Sequence, residues 1–298
     1  MDGVLNLDKP AGITSFKAVS RVRRAAGGTR AGHAGTLDPF ATGILPIMLG
    51  SARRVSEFLL DYPKTYLAEI TLGVETDTLD ITGKVVETAD FSHITELQVK
   101  EALPRFIGEI RQVPPVYSAI KQDGKRLYQM ARDGLSPKPE SRVVNVYSLE
   151  VVAFSPPFLT IEIACGRGTY IRSLARDLSL AIQSRGHLSK LERTAYGPLK
   201  ISDSLKLDDI EKPGGQDILL ASLLPLDSVL GHLPLIELSD DEAGLVANGG
   251  SIFRPDASGE STNWRAYDED RNLVALLVGG NAPGWYKPRK VFTSNLHP

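Results

Sequence analysis

The first residue of this chain that could do chemistry is a carboxylate in a loop punctuated by glycines. Asp38 stands in Gly-His-Ala-Gly-Thr-Leu-Asp-Pro (32–39). Pro39 holds its predecessor extended and removes one backbone donor. Gly35 and Gly43 let a ligand approach the main chain closely. An aspartate before proline also serves as ordinary turn chemistry, and His33 reads equally as a packed loop histidine. Arg172 gives an independent signal. Gly-Arg-Gly-Thr-Tyr-Ile-Arg (166–172) reads as a strand exit with Thr169 capping a helix. Arg172 then falls in the first turn, where the helix dipole disfavours a cation. An anion from elsewhere would offset that, either a buried carboxylate or an RNA phosphate. Tyr66 and Tyr170 either stack on a base or pack, and Lys9-Pro10 reads as a turn.

The elements that must position these residues follow from periodicity. Val4–Leu7 alternates loosely as a strand, broken by Lys9-Pro10-Ala11-Gly12. Thr14 fits the N-cap of a helix that ends at Gly27-Gly28. Residues 29–43 read as a loop, followed by an apolar run at 44–49 and a helix over 52–60. Residues 65–72 alternate at period two, as a half-buried strand does. Further strands are expected at 82–88, 143–154 and 158–165, and helices at 95–106, 125–133 and 169–184. With no steady βαβ rhythm, the fold class is α+β around a mixed, largely antiparallel sheet. Pro213-Gly214-Gly215 marks a break. The tail reads as a capped helix near 238–245, the turn Asn248-Gly249-Gly250, and two strands at 264–267 and 273–278. Two domains are expected, 1–230 and a small β-rich unit at 231–298.

Composition narrows the function. At 298 residues, 42% hydrophobic and 23% charged, the chain reads as a soluble globular protein. The N-terminus has no basic flank or long apolar run, so a signal or transit peptide is not expected, nor is a membrane span. One cysteine, Cys165, cannot form an internal disulfide and fits a reducing cytoplasm. One cysteine and five histidines offer no zinc spacing. The net charge of −2 hides four alternating blocks: +4 over 1–66, −6 over 67–104, +7 over 105–200 and −7 over 201–298. A polyanion meets only the face it docks on.

Taken together, these segments resemble the TruB family of tRNA pseudouridine synthases. Leu7–Ser15 is similar to the family's N-terminal motif, and Gly32–Gly43 to its catalytic motif. Lys64-Thr65-Tyr66 is similar to the motif of its active-site tyrosine, Gly166–Leu174 to that of its arginine, and His187–Thr194 to a further site strand. The similarity spans roughly residues 3–200. It implies a pseudouridine synthase fold, a PUA-like RNA-binding tail, no cofactor, and the uridine at position 55 in the T-arm of elongator tRNAs as substrate. It also implies roles: Asp38 as catalytic carboxylate, Arg172 as its partner, and Tyr66 stacking on the base with its phenol as a general base. His33 would fill the space left by a flipped base, Tyr170 and Leu191 would line the uracil pocket, and Lys9 belongs to the substrate-binding set.

The alternative within this class is a guide-RNA-dependent rRNA synthase of the Cbf5/dyskerin type. Such chains carry assembly extensions, whereas this sequence starts only a few residues before its first motif and ends in Leu-His-Pro, so a stand-alone enzyme without an obligatory protein partner is expected. A second, non-catalytic role in tRNA folding is compatible with the same residues. A glycoside hydrolase needs two carboxylates flanking the bond, and the catalytic loop offers only Asp38.

Overall fold

A computed structural model describes residues 1–118, 120–122, 124–135, 137–255 and 262–292. Its frame is one large mixed sheet. The main path runs Leu205–Lys206, Gly3–Lys9, Thr42–Leu49, Gly186–Tyr196, Lys64–Leu72, Phe158–Cys165, Arg142–Ser155, Gly108–Gln112. Most neighbours are antiparallel. The exceptions are Leu205–Lys206 on Gly3–Lys9, and a short parallel join pairing Glu192 with Thr42 and Arg193 with Gly43.

Side-chain alternation divides the core between the two faces of this sheet. Leu5, Leu7, Leu45, Ile47 and Ile70 face the helices Ser15–Ala25, Glu96–Ala102 and Ile171–Ala181, through Val19, Val22, Val99, Leu174 and Leu178. Val4, Ile44 and Met48 face the other way, onto Val55, Phe58, Leu59, Tyr196 and Leu230. Gly3–Lys9 and Thr42–Leu49 are therefore buried on both faces. Lys64–Leu72 keeps the half-buried pattern that its alternation predicts.

The Thr14 cap is present, with its hydroxyl accepting from the Lys17 amide at 3.1 Å. Thr169 does not cap the second helix. Tyr170 is the N-cap, without a side-chain cap bond, and Thr169 donates instead to the Gly166 carbonyl. The 29–43 loop contains a strand, Ala31–His33, paired antiparallel to Thr42–Leu49. The helix expected over 52–60 divides into a 3-10 turn, Gly50–Val55, and one α-turn, Ser56–Leu59. That over 95–106 ends at Ala102 and continues as a 3-10 turn, Leu103–Phe106.

The tail is a five-stranded β unit ordered Leu235–Glu237, Asn263–Tyr267, Leu273–Gly279, Trp285–Val291, Ile252–Phe253. Its helix, Asp240–Ala247, starts at a capping box between Ser239 and Glu242. The tail is docked against the large sheet: Leu276 and Phe292 share a core with Val4 and Met48. Glu57 pairs with Arg289 and Lys290, and Arg54 donates to the Val291 carbonyl. No described helix is long and apolar enough to cross a membrane.

Candidate active site

The Asp38 loop is pinned from beneath. The Lys9 ammonium, fully buried, donates to the carbonyls of Pro10 and Ile13 at 2.8 and 2.9 Å and more weakly to Pro39 at 3.4 Å. Ser15 both donates to the Leu37 carbonyl and accepts from the Leu37 amide. Gly12 donates to Pro39 at 2.7 Å. Gly35 has φ +73°, and a Cβ there would come within 2.9 Å of the Tyr196 ring, so glycine is needed on both counts. Asp38 is thus delivered to the floor of a cleft of about 740 Å³.

Arg172 reaches this carboxylate from the first turn of its helix, 134 residues away in sequence. Its Nη2 donates to Asp38 Oδ1 at 3.2 Å, and Nε lies 2.9 Å from Oδ2, an ion-pair contact short of hydrogen-bond alignment. The guanidinium also donates to the carbonyls of Thr78 and Tyr117 at 2.9 and 3.0 Å. Its Nη1 lies 3.4 Å from Asp80 Oδ2. The anion that the helix dipole called for is therefore a carboxylate, and there are two.

Asp80 is the residue that sequence reasoning missed. Its Oδ1 accepts from Thr78 Oγ1, the Thr82 amide and Thr82 Oγ1 at 2.8, 2.9 and 2.6 Å. Leu79, just before it, is buried at φ +62°, a conformation costly for a leucine and held by the surrounding bonds. In sequence, Thr-Asp-Thr-Leu-Asp-Ile-Thr-Gly (76–83) has the composition of a surface turn. Folded, it turns one buried carboxylate onto Arg172.

Burial raises the Asp38 pKa above the ordinary carboxylate value; Arg172 opposes this and Asp80 adds to it. One third of the side chain (33%) is exposed, at the cleft that it lines, and desolvation by the protein packed around the rest remains the largest influence. Burial likewise raises the Tyr66 pKa. Among the described residues, its hydroxyl receives one long contact, 3.5 Å, from Arg193 Nη1.

Asp38, Tyr66, Tyr170, Arg172 and Leu191 line this one cleft, while Lys9 and His33 are not among its lining residues. His33 lies on the strand Ala31–His33 with a buried Nδ1 that has no partner among the described residues, and burial lowers its pKa. Lys9 is turned into backbone carbonyls, which argues for a supporting part rather than contact with substrate. Burial also lowers its pKa to about 8, partly restored by Asp38. Lys9→Met is expected to lower stability by about 1–3 kcal/mol through the carbonyls it strands, with RNA affinity unchanged. Thermal melts and a filter-binding titration check this, and weakened binding in a stable variant would return Lys9 to the substrate surface.

Two further cations frame the cleft. Arg193 is 1% exposed and donates to the carbonyls of Ile44 and Gly35 at 2.7 and 2.9 Å. Lys64 is buried, donates to the Leu60 carbonyl and lies 4.8 Å over the Tyr196 ring; burial lowers its pKa to about 8. Ser118 and Tyr196 also line the cleft, each with a buried hydroxyl that has no partner among the described residues.

Comparison with known proteins gives this arrangement its class. The chain superposes on one in "Structure of H/ACA RNP bound to a substrate RNA containing 2'-deoxyuridine" with a TM-score of 0.75 and 25% identity, covering 97% of this chain and 84% of that one. Against a chain of "Crystal Structure of a Cbf5-Nop10-Gar1 Complex" the TM-score is 0.71 at 28% identity, with coverages of 93% and 78%. The fold is that of the pseudouridine synthases. Residues 23–171 match the family described as TruB family pseudouridylate synthase (N terminal domain). A tRNA pseudouridine synthase B of Dehalococcoides mccartyi is 42% identical, covering 99% of this chain and 97% of the relative, and one of Aromatoleum aromaticum is 41% identical, covering 99% and 94%. The chain belongs to the TruB family.

Proposed function

We propose that this chain isomerises uridine to pseudouridine in tRNA, acting on position 55 of the T-arm with the base turned out of its loop. The observation that carries this reading is Asp38 on the cleft floor, gripped by Arg172, in a chain whose relatives are tRNA pseudouridine synthases. The guide-RNA-dependent alternative is less well supported, since the Cbf5 assemblies share only 25–28% identity with this chain.

The chemistry is redox-neutral. The N1–C1′ bond breaks, the uracil turns, C5 bonds to C1′, the C5 proton leaves and N1 gains one. Ionised Asp38 acts at the sugar or the base as nucleophile or charge stabiliser. Arg172 keeps it charged against the cost of burial and fixes its direction. Tyr66 stacks on the base. Burial keeps its phenol protonated, which favours stacking over the general-base role. Tyr170 and Leu191 form the walls of the uracil pocket. His33, outside the cleft, takes the space that the flipped base leaves, since chemistry on a base requires it to be unstacked. The tail, 231–298, adds RNA contacts as a PUA-like domain.

An unmodified elongator tRNA transcript incubated with the protein should acquire one carbodiimide-dependent reverse-transcription stop, in the T-loop. A stop elsewhere would overturn the position, and no stop would overturn the reading.

A further inference from the structure

The Ile171–Ala181 helix presents Arg172 to Asp38, yet its N-cap, Tyr170, has no side-chain cap of its own. Its backbone is held from another element. Gln112, 1% exposed, donates Nε2 to the Tyr170 carbonyl at 3.0 Å and accepts from the Tyr170 amide at 2.8 Å. The side-chain amide thereby stands in for a strand neighbour, pairing both polar groups of one residue. Arg142 faces Gln112 across the sheet, in direct register, and directly opposed strand residues project on the same face. The Arg142 guanidinium lies 5.6 Å from the centre of the Tyr170 ring, within cation–π range. One side chain of this pair holds the Tyr170 backbone and the other covers its ring.

The chain after Gln112 continues along the same helix turn. The Val113 carbonyl accepts from Ser173 Oγ at 2.8 Å, and the Tyr117 carbonyl from Arg172 Nη2 at 3.0 Å. Contacts at 112, 113 and 117 therefore fix 170, 173 and 172. Of these, only the one at 112 satisfies both backbone groups of the N-cap. From this geometry we infer that Gln112 is a positioning residue for the reaction: it sets the Tyr170 ring and, through the first helical turn, the direction of Arg172. The inference rests on the functional reading above for its kinetic consequence, but not for its structural one.

Gln112→Met keeps the volume and removes both hydrogen bonds, and it is assayed well below its melting temperature. Hydrogen–deuterium exchange should rise at 170–174 and stay unchanged at the far end of the helix. The kcat should fall about tenfold or more, as expected for a reacting group that drifts, with KM within about threefold. Asp38 is faced by Arg172 from the helix, Asp80 from the 76–83 turn, Lys9 from the first strand and the Tyr66 phenol from Lys64–Leu72. Loosening the one favourable arginine among them should move the acid limb of kcat to higher pH. A merely structural glutamine would lower the melting temperature and leave the kcat and its acid limb alone, and that result overturns the inference. Unchanged exchange at 170–174 also overturns it. If the wild-type protein makes no pseudouridine, the functional reading fails instead, and the exchange measurement alone decides for Gln112.

Discussion

Asp38→Asn should abolish pseudouridine formation, by about 10⁴-fold or more, while tRNA binding persists and the protein melts no earlier than wild type. The amide keeps the shape of the carboxylate and can still accept from Arg172, but it can be neither nucleophile nor stabilising charge. The stability half follows from linkage. Burial raises the Asp38 pKa in the folded state. Its contribution to stability is therefore fully present below the unfolded pKa and is lost as pH rises through the folded one. At neutral pH the ionised side chain is a cost, and asparagine removes that cost. Arg172 is not stranded, because Asp80 and the carbonyls of Thr78 and Tyr117 remain. Carbodiimide mapping, a binding titration and a melt test the three parts. Loss of binding together with activity would make Asp38 a structural residue.

Arg172→Lys should lower activity by roughly 10²–10³-fold and shift the acid limb of the pH–rate profile upward. Arg172 meets two carboxylates and two carbonyls at once from a planar fork. A lysine ammonium has the charge but not the geometry, and its three donors cannot serve four separated acceptors. With the guanidinium withdrawn, burial and Asp80 act on Asp38 less opposed, so its pKa rises further and more acidic solutions silence the enzyme sooner. Single-turnover rates across the acid range measure this, and a wild-type profile would show that the ion pair is not needed. Arg172→Ala is the harsher change. It leaves Asp80 buried against an empty space, a type of loss that costs about 3–5 kcal/mol, and calorimetry should register it.

This site was legible in the sequence mainly through the ordered motifs similar to the family's, since each local signal taken alone left an ordinary structural reading open. A cation in the first turn of a helix asks for an anion, and Arg172 has two. Glycine at 35 and proline at 39 mark a constrained loop, and Asp38 lies within it. What could not be read is what depends on long-range packing. Asp80 looks like turn chemistry until Thr76, Thr78 and Thr82 close around it. Arg193 looks like an outward-facing strand cation, but the close parallel join at Gly43 buries it; a Cβ at Gly43 would lie 2.4 Å from the Arg193 carbonyl. Gln112 carries no signal at all, since a glutamine at a strand end is unremarkable without its partner 58 residues on.

The fold shows the same division. Alternation located Lys64–Leu72 and the pair Arg142–Ser155 and Phe158–Cys165, where one face is buried. It failed at Ala31–His33, a short strand whose glycine suggests a loop. It failed again at Trp285–Val291, where Pro288 argues against pairing; the register shift between Leu276 and Leu277 accommodates it. Lys9 and His33 belong to motifs similar to the family's, yet resemblance alone could not tell a residue that touches substrate from one that holds up its neighbour.

The place of the first strand bears on how the protein is made. Gly3–Lys9 emerges from the ribosome well before two of its partners, Leu205–Lys206 and Leu223–Leu224, which are synthesised some two hundred residues later. Until then its edge is open and can pair only with Thr42–Leu49. Pairings so remote in sequence are slow to close and leave strand edges exposed meanwhile. A nascent chain arrested before residue 205 would hold Asp38 and Arg172 but lack the strands that fasten Lys9's segment beneath them. Activity should therefore appear late in synthesis and abruptly, once the chain returns to its own beginning.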